Sequence, residues 1–188
     1  MPWIASLARI VGSALPFGSI AVQLSTELDS RQVQQRLLRL EDPISALHPD
    51  VRAVSEVIYA SISQSDSTKV VLPDPQMQQF ARPIALLEGS GLISGTHGIG
   101  QRFVGGFWVT SPQYVLYMAA LYEDPDLMER FVALVDSSPS GSWLNGAQLA
   151  KEYALPIPVV RAVFQFYEQR GLGILSKEIG TANYLPQS

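Results

Sequence analysis

Residues 149–188, LAKEYALPIPVVRAVFQFYEQRGLGILSKEIGTANYLPQS, decide how this chain is read. Leu149 and Tyr153 lie one helical turn apart at its start. Asn145 or Ser142, just upstream, offers a side-chain oxygen to cap that helix. Leu155 falls in the turn that follows and is expected to be buried there. Pro156 or Pro158 opens a second helix, at a position where a missing amide N–H costs nothing. Val159, Val160, Val163, Phe164 and Tyr167 form one continuous apolar stripe, the inner face of that helix. Gly171 supplies the residue that ends it. GILSKEI and TANYLP then read as two short strands, with Gly180 near the reversal. The order is helix, turn, helix, hairpin.

Upstream, the spacing predicts further helices. Pro112 to Val135 is a long helical region interrupted at EDPD, with Val115, Met118, Ala119, Tyr122, Leu127, Phe131 and Leu134 as its apolar positions. Residues 136–143, where Pro139 and Gly141 stand among serines, form the clearest loop in the chain. Pro49 to Ile62 carries the stripe Val51, Val54, Ile58 and Ile62. KVVLP is a short strand candidate. In DPQMQQFARPIALLEGSG, Asp74 caps a helix and Pro75 takes its first position. Pro83 forces that helix to break, kink or restart. GLISGTHGIGQRFVGGFWVTS reads as two strands around a glycine-rich turn. Ser30 caps a helix over RQVQQRLLRLE. Residues 1–24 are mostly apolar, but Gly12, Pro16 and Gly18 interrupt them and the run is too short to span a bilayer. That segment is expected to pack on the domain or on a partner.

A repeat underlies this order. QQFARPI at 78–84 aligns with KEYALPI at 151–157, 73 residues later. Each is followed by a helical stretch, then Gly-Leu, then a strand. The first copy is the shorter, so its second helix is short or begins ahead of Pro83. The stretch NGAQLAKEYALPIPVVRAVFQFYEQRGLGILSKEIGTANYLP, with the helical region before it, resembles the winged helix-turn-helix family. LLEGSGLISGTHGIGQRFVGGFWVTS looks like a shorter version of the same ending. The resemblance implies a mainly α fold with small β hairpins, an α+β chain of tandem winged-helix-like domains. The expected divisions are 1–48, an N-terminal apolar segment and helix; 49–111, a first such domain; and 112–188, a second. Members of the family usually bind duplex DNA and also serve as protein–protein modules.

Charge separates those two functions. The chain of 188 residues carries a net charge of −4. Residues 69–110 and 144–188 are each +1, residues 111–143 are −4 and residues 1–68 are −2. A duplex binder neutralises about 6–10 phosphates, and two domains at +1 supply few of them. The candidate DNA contacts are Arg161 and Gln165 on the second helix and Lys177 on the wing. Glu168 opposes phosphate on the same helix face. The aromatic surplus points the other way. Phe103, Phe107 and Trp108 crowd one hairpin, and Trp143 and Phe166 accompany the other. They are candidates for a protein interface, or for burial between the two units.

No chemistry-bearing constellation is legible. There is no cysteine, and only two histidines, His48 and His97, occur. A thiolate metal site is excluded and a structural zinc site is not expected. SGTHGIG lacks the spacing and lysine of a phosphate loop and reads as a hairpin tip. Glu123, Asp124, Asp126 and Glu129 lack the alternation of a calcium loop and read as a solvated turn. No catalytic, cofactor-binding or metal-binding residues are assigned, and no cofactor is expected. The expectation is a cytoplasmic, non-catalytic adaptor or regulatory protein that binds a protein partner or itself, without an integral membrane span. The alternative is a sequence-specific, double-stranded DNA-binding transcriptional regulator.

Overall fold

The structure, a computed structural model, describes residues 49–95, 106–176 and 182–187. The N-terminal segment, the helix expected over 31–41, and the residues His48, His97, Phe103, Lys177 and Gly180 lie outside the described residues.

Helix α1 (Pro49–Ser65) buries Val51, Val54, Ile58 and Ile62 along one side, the stripe its spacing dictates. Strand β1 (Lys69–Val70) follows. Helix α2 (Asp74–Gln79) has Pro73 at its N-cap, one residue earlier than the cap expected at Asp74. Phe80 closes α2 and α3 (Ala81–Gly89) starts at the next residue. The restart places Pro83 in the first turn of α3, where its missing N–H breaks no intrahelical bond. Strands β2 (Ile93–Gly95) and β3 (Phe107–Val109) complete a three-stranded antiparallel sheet with order β1-β3-β2.

The second half runs through the same sequence of elements with one more helix at its start. Helix α4 (Pro112–Tyr122) has its N-cap at Ser111, whose side chain accepts from the Tyr114 N–H. Helix α5 (Pro125–Ser137) is capped by Asp124, which accepts from the Asp126 N–H. Pro125 therefore splits the long helical region in two. Strand β4 (Leu144–Asn145) leads into α6 (Gly146–Glu152), where Asn145 accepts from the Gln148 N–H at 3.0 Å. Helix α7 (Ile157–Glu168) buries Val159, Val160, Val163, Phe164 and Tyr167, and Leu155 is buried in the turn before it. Strands β5 (Gly173–Leu175) and β6 (Asn183–Pro186) join β4 in a sheet of order β4-β6-β5. In both sheets the last strand in sequence is the central one.

The repeat extends to single hydrogen bonds. Phe80 and Tyr153 end their helices with nearly the same backbone, φ −99 and ψ 15 against φ −94 and ψ 2. Beyond them the register of the halves shifts, because the second half has a turn before its next helix and that helix is longer. Gly91 and Gly171 then meet again at φ 70 and 71. Each follows a Glu whose carbonyl takes its N–H, and Leu92 and Leu172 reach back to Leu87 and Tyr167. This is the paired closure that a left-handed residue permits. Glu88 Oε1 accepts from the Gly95 N–H, and Glu168 Oε1 from the Leu175 N–H, both seven residues on.

One continuous core serves both halves. Helix α4 lies at its centre, against α1 on one side and α7 on the other. Seven of its eleven residues are buried, Tyr114, Val115 and Met118 among them. A helix apolar over most of its circumference has to be covered on more than one side, and α4 packs against both halves. The Ser55 hydroxyl, fully buried, donates to the Val51 carbonyl at 2.7 Å and lies 2.8 Å from the Tyr114 hydroxyl. The contact therefore joins α1 to α4 through a satisfied polar pair.

Candidate functional site

The N-terminal half of α7 faces back across the molecule toward the first sheet. Between them lies a groove of about 620 Å³. One wall is the α1–β1 turn, Asp66 to Thr68, with Trp108 and Thr110 from β3 and the residues after it. The other wall is Ile157, Pro158, Arg161 and Gln165 of α7. The outer wall comes from the first half and the helical wall from the second, so neither half forms the groove alone.

Local sequence explains each side. Trp108 alternates with the buried Phe107 and Val109 along β3, so its indole must point outward. It is 46% exposed. Lys69 is its cross-strand partner and sets its ammonium over the indole ring, 5.9 Å from the centroid, within the range of a cation–π contact. On α7, Arg161 and Gln165 are one turn apart and opposite the buried stripe. Both are half-buried. Asp66 has a left-handed backbone, φ 49, and its Oδ1 accepts from the Ile157 N–H at 3.4 Å. It sits across the groove at the start of α7, where a carboxylate complements the helix dipole. Away from the groove, the Gln113 amide donates to the Gln169 side-chain carbonyl at 2.9 Å.

The structure brings Arg161, Gln165 and Trp108 together, although the sequence placed them in two different functional classes. It separates the remaining candidates. Phe107 is fully buried and Phe166 is 6% exposed, so both are corrected from partner-facing to core residues. Phe107 is turned in by strand alternation. Phe166 is covered by the Arg170 guanidinium, 3.4 Å from its ring centroid. Trp143 is 58% exposed but precedes β4 on the second sheet, outside the groove. Glu168, expected to oppose phosphate on the open helix face, is instead half-buried and accepts from Leu175.

Sequence reading missed Asp66, Thr68 and Ile157 as one surface. Asp66 stands in the polar turn SQSDST, a signal for a turn and nothing more. Its proximity to Ile157, 91 residues on, is a product of the fold.

The acidic stretch after α4 is structural and not only solvated. Glu123 accepts from the Tyr59 hydroxyl and Asp124 caps α5. In the second half Asp136 accepts from the Tyr167 hydroxyl. Burial, then the neighbouring carboxylate, drives the Tyr59 and Tyr167 phenols well above their ordinary value. Tyr184, with its hydroxyl buried and without a hydrogen-bond partner, is pushed up to about 12, first by burial and then by Glu168 and Asp136. Among the described residues, no group of three or more His, Cys, Asp or Glu is placed to hold a metal. No helix among them is long and apolar enough to cross a membrane.

No protein-family model matches the chain, nor does any curated protein or solved structure.

Proposed function

We propose that the chain is a non-catalytic adaptor or regulatory protein, made of two winged-helix-like units, that holds a protein partner in the groove between them. The order helix, strand, helix, helix, strand, strand, with the last strand central, supports the winged-helix reading of both halves. The observation that carries the function is the position of α7. In a winged helix this is the helix that enters the DNA major groove, which needs it to stand clear on both flanks. Here the face with Arg161 and Gln165 is one wall of a cleft whose other wall is the first sheet. A duplex approaching that face meets Trp108 and the α1–β1 turn. A narrow chain does not.

Electrostatics favours the same reading. Residues 111–143, with the two helices α4 and α5 that open the second half, carry −4, which repels a long polyanion. Duplex DNA is the reading to test against. Binding of the full chain to a random duplex is measured by fluorescence anisotropy over a salt series. A phosphate-bound complex weakens steeply as salt rises. Negligible binding at moderate salt is expected. Micromolar binding with a steep salt slope, lost in Arg161→Ala, overturns the proposal. In parallel, a photoreactive residue placed at Gln165 should give protein adducts in cells of the source organism, and one at Glu129 on α5 should not.

A further inference from the structure

We infer that the chain folds back on itself: residues 31–41 dock, through Val33, Leu37 and Leu40, into a second groove on the outer side of α1. This does not depend on the adaptor reading. Helix α1 carries two stripes. Val51, Val54, Ile58 and Ile62 enter the core. Ala53, Val57, Ala60 and Gln64 run along the other side at the same helical spacing, exposed or half-buried and without a charge. Beside them the chain after β1 turns Val71 outward, 62% exposed, while Val70 and Leu72 are buried. Val57, Ala60, Val71, Leu72 and Pro73 line a groove of about 380 Å³ there, and none of its lining residues is charged. An uncharged, largely apolar groove with an exposed valine at its rim is a surface that gains from being covered.

The chain that precedes α1 supplies the occupant. The spacing of Val33, Leu37 and Leu40 predicts a helix over 31–41, and Arg31 and Arg39 fall off that stripe. A helix of that length is marginal by itself in water and takes its stability from burying its apolar side. Seven residues, 42–48, join it to Pro49. Extended, they reach about 23 Å, while Pro49 to Ala60 is about 17 Å of helix. The segment therefore reaches this groove on its own tether, with an effective concentration that a separate molecule lacks. The lengths agree as well. Val33 to Leu40 and Val57 to Gln64 each advance seven residues, about 10 Å of helix. Docked there, the segment lies against Ser65 and next to the Asp66–Thr68 turn, which walls the groove between the halves.

The chain has no cysteine, so a pair placed in it links without competition. Leu37→Cys with Ala60→Cys, in the full chain, is treated with a short bismaleimide and the product is read by mass spectrometry. Both thiols of each pair are first shown to react with a monofunctional maleimide, so a missing link counts against docking. A link within one chain is expected, at about tenfold the yield of Leu37→Cys with Glu129→Cys on α5. Adding Val71→Asp to the first pair should cut the yield to the level of that control. Circular dichroism should not change, because Val71 is exposed. Equal yields from the two pairs overturn the inference, as does a link that Val71→Asp leaves intact. A link that joins two chains and grows with protein concentration assigns the groove to a second copy, and overturns it too.

Discussion

At the scale of single residues, Ala154 is the most informative position. It has φ 50 in the turn between α6 and α7. Its N–H reaches the Lys151 carbonyl and that of Leu155 reaches Ala150, the closure usually given to glycine. The left-handed backbone costs an alanine about 1–2 kcal/mol, while a glycine has more freedom to lose from the unfolded chain. Ala154→Gly is expected to raise stability by about 0.5–1 kcal/mol, seen as a higher urea midpoint at unchanged slope. Gly106 is the converse. At φ 98, a Cβ there would lie 2.1 Å from the Val70 carbonyl oxygen, at the β1–β3 pairing. Gly106→Ala should lower the midpoint by more than Ala154→Gly raises it. The buried phenols set the pH response. Tyr59, Tyr114 and Tyr167 are raised above the ordinary phenol value of 10.0, first by burial. Below about pH 10 both the folded and unfolded states keep these protons, and their contribution to stability is complete. Above it, the unfolded chain releases protons that the folded chain holds, so stability must fall as pH rises. Thermal melts should be level through neutral pH and decline beyond about pH 10. Tyr167→Phe should make that decline shallower.

At the scale of elements, caps and proline positions explain where each helix begins. Ser111, Asp124 and Asn145 all cap through a side-chain oxygen. Asn145→Ala is expected to cost about 1 kcal/mol in a denaturant titration. Asn145→Ser should recover most of it, since either side chain accepts the Gln148 N–H. The cap at Asn145 is local and legible in the sequence. Pro83 shows the limit of such signals. The sequence requires a break near it and leaves open whether the helix starts before or after. Ala81 starts it because Phe80, 8% exposed, anchors the junction in the core, and that anchoring is tertiary. Glu168 shows the same limit in another form. Helical periodicity sets it on the outer side of α7, but the nearby β5 backbone supplies a donor, and a half-buried carboxylate takes one wherever it is offered.

At the scale of the whole molecule, α4 makes the two halves one cooperative body. Met118 is fully buried in it, within the single shared core. Met118→Ala should cost about 2–5 kcal/mol and destabilise both halves together. Trp108 lies in the first sheet and Trp143 beside the second, so each reports on one half. With Trp3 replaced by Phe, Trp108→Phe and Trp143→Phe leave one reporter each. Their fluorescence midpoints should coincide with each other and with circular dichroism, the mark of two-state unfolding. Separate midpoints would mean that the halves unfold independently and that the groove opens before the core does.

The sequence alone determined most of the elements, their order and the repeat of that order, because caps, breakers and apolar periodicity act within one or two turns of chain; β4, two residues long and made only by pairing with β6, was not among them. It also determined that Val159, Val160, Val163, Phe164 and Tyr167 face inward, since a helix has only one way to bury such a stripe. Only the tertiary structure decided which aromatics are free. Phe107 and Trp108 are aromatic neighbours, yet one is fully buried and the other 46% exposed, because strand alternation assigns faces only once β3 is paired. Only the tertiary structure, too, set Arg161 and Gln165 against Trp108. They meet because α4 is apolar over most of its circumference and must be covered by α1 and α7 at once, which turns the outer face of α7 toward the first sheet.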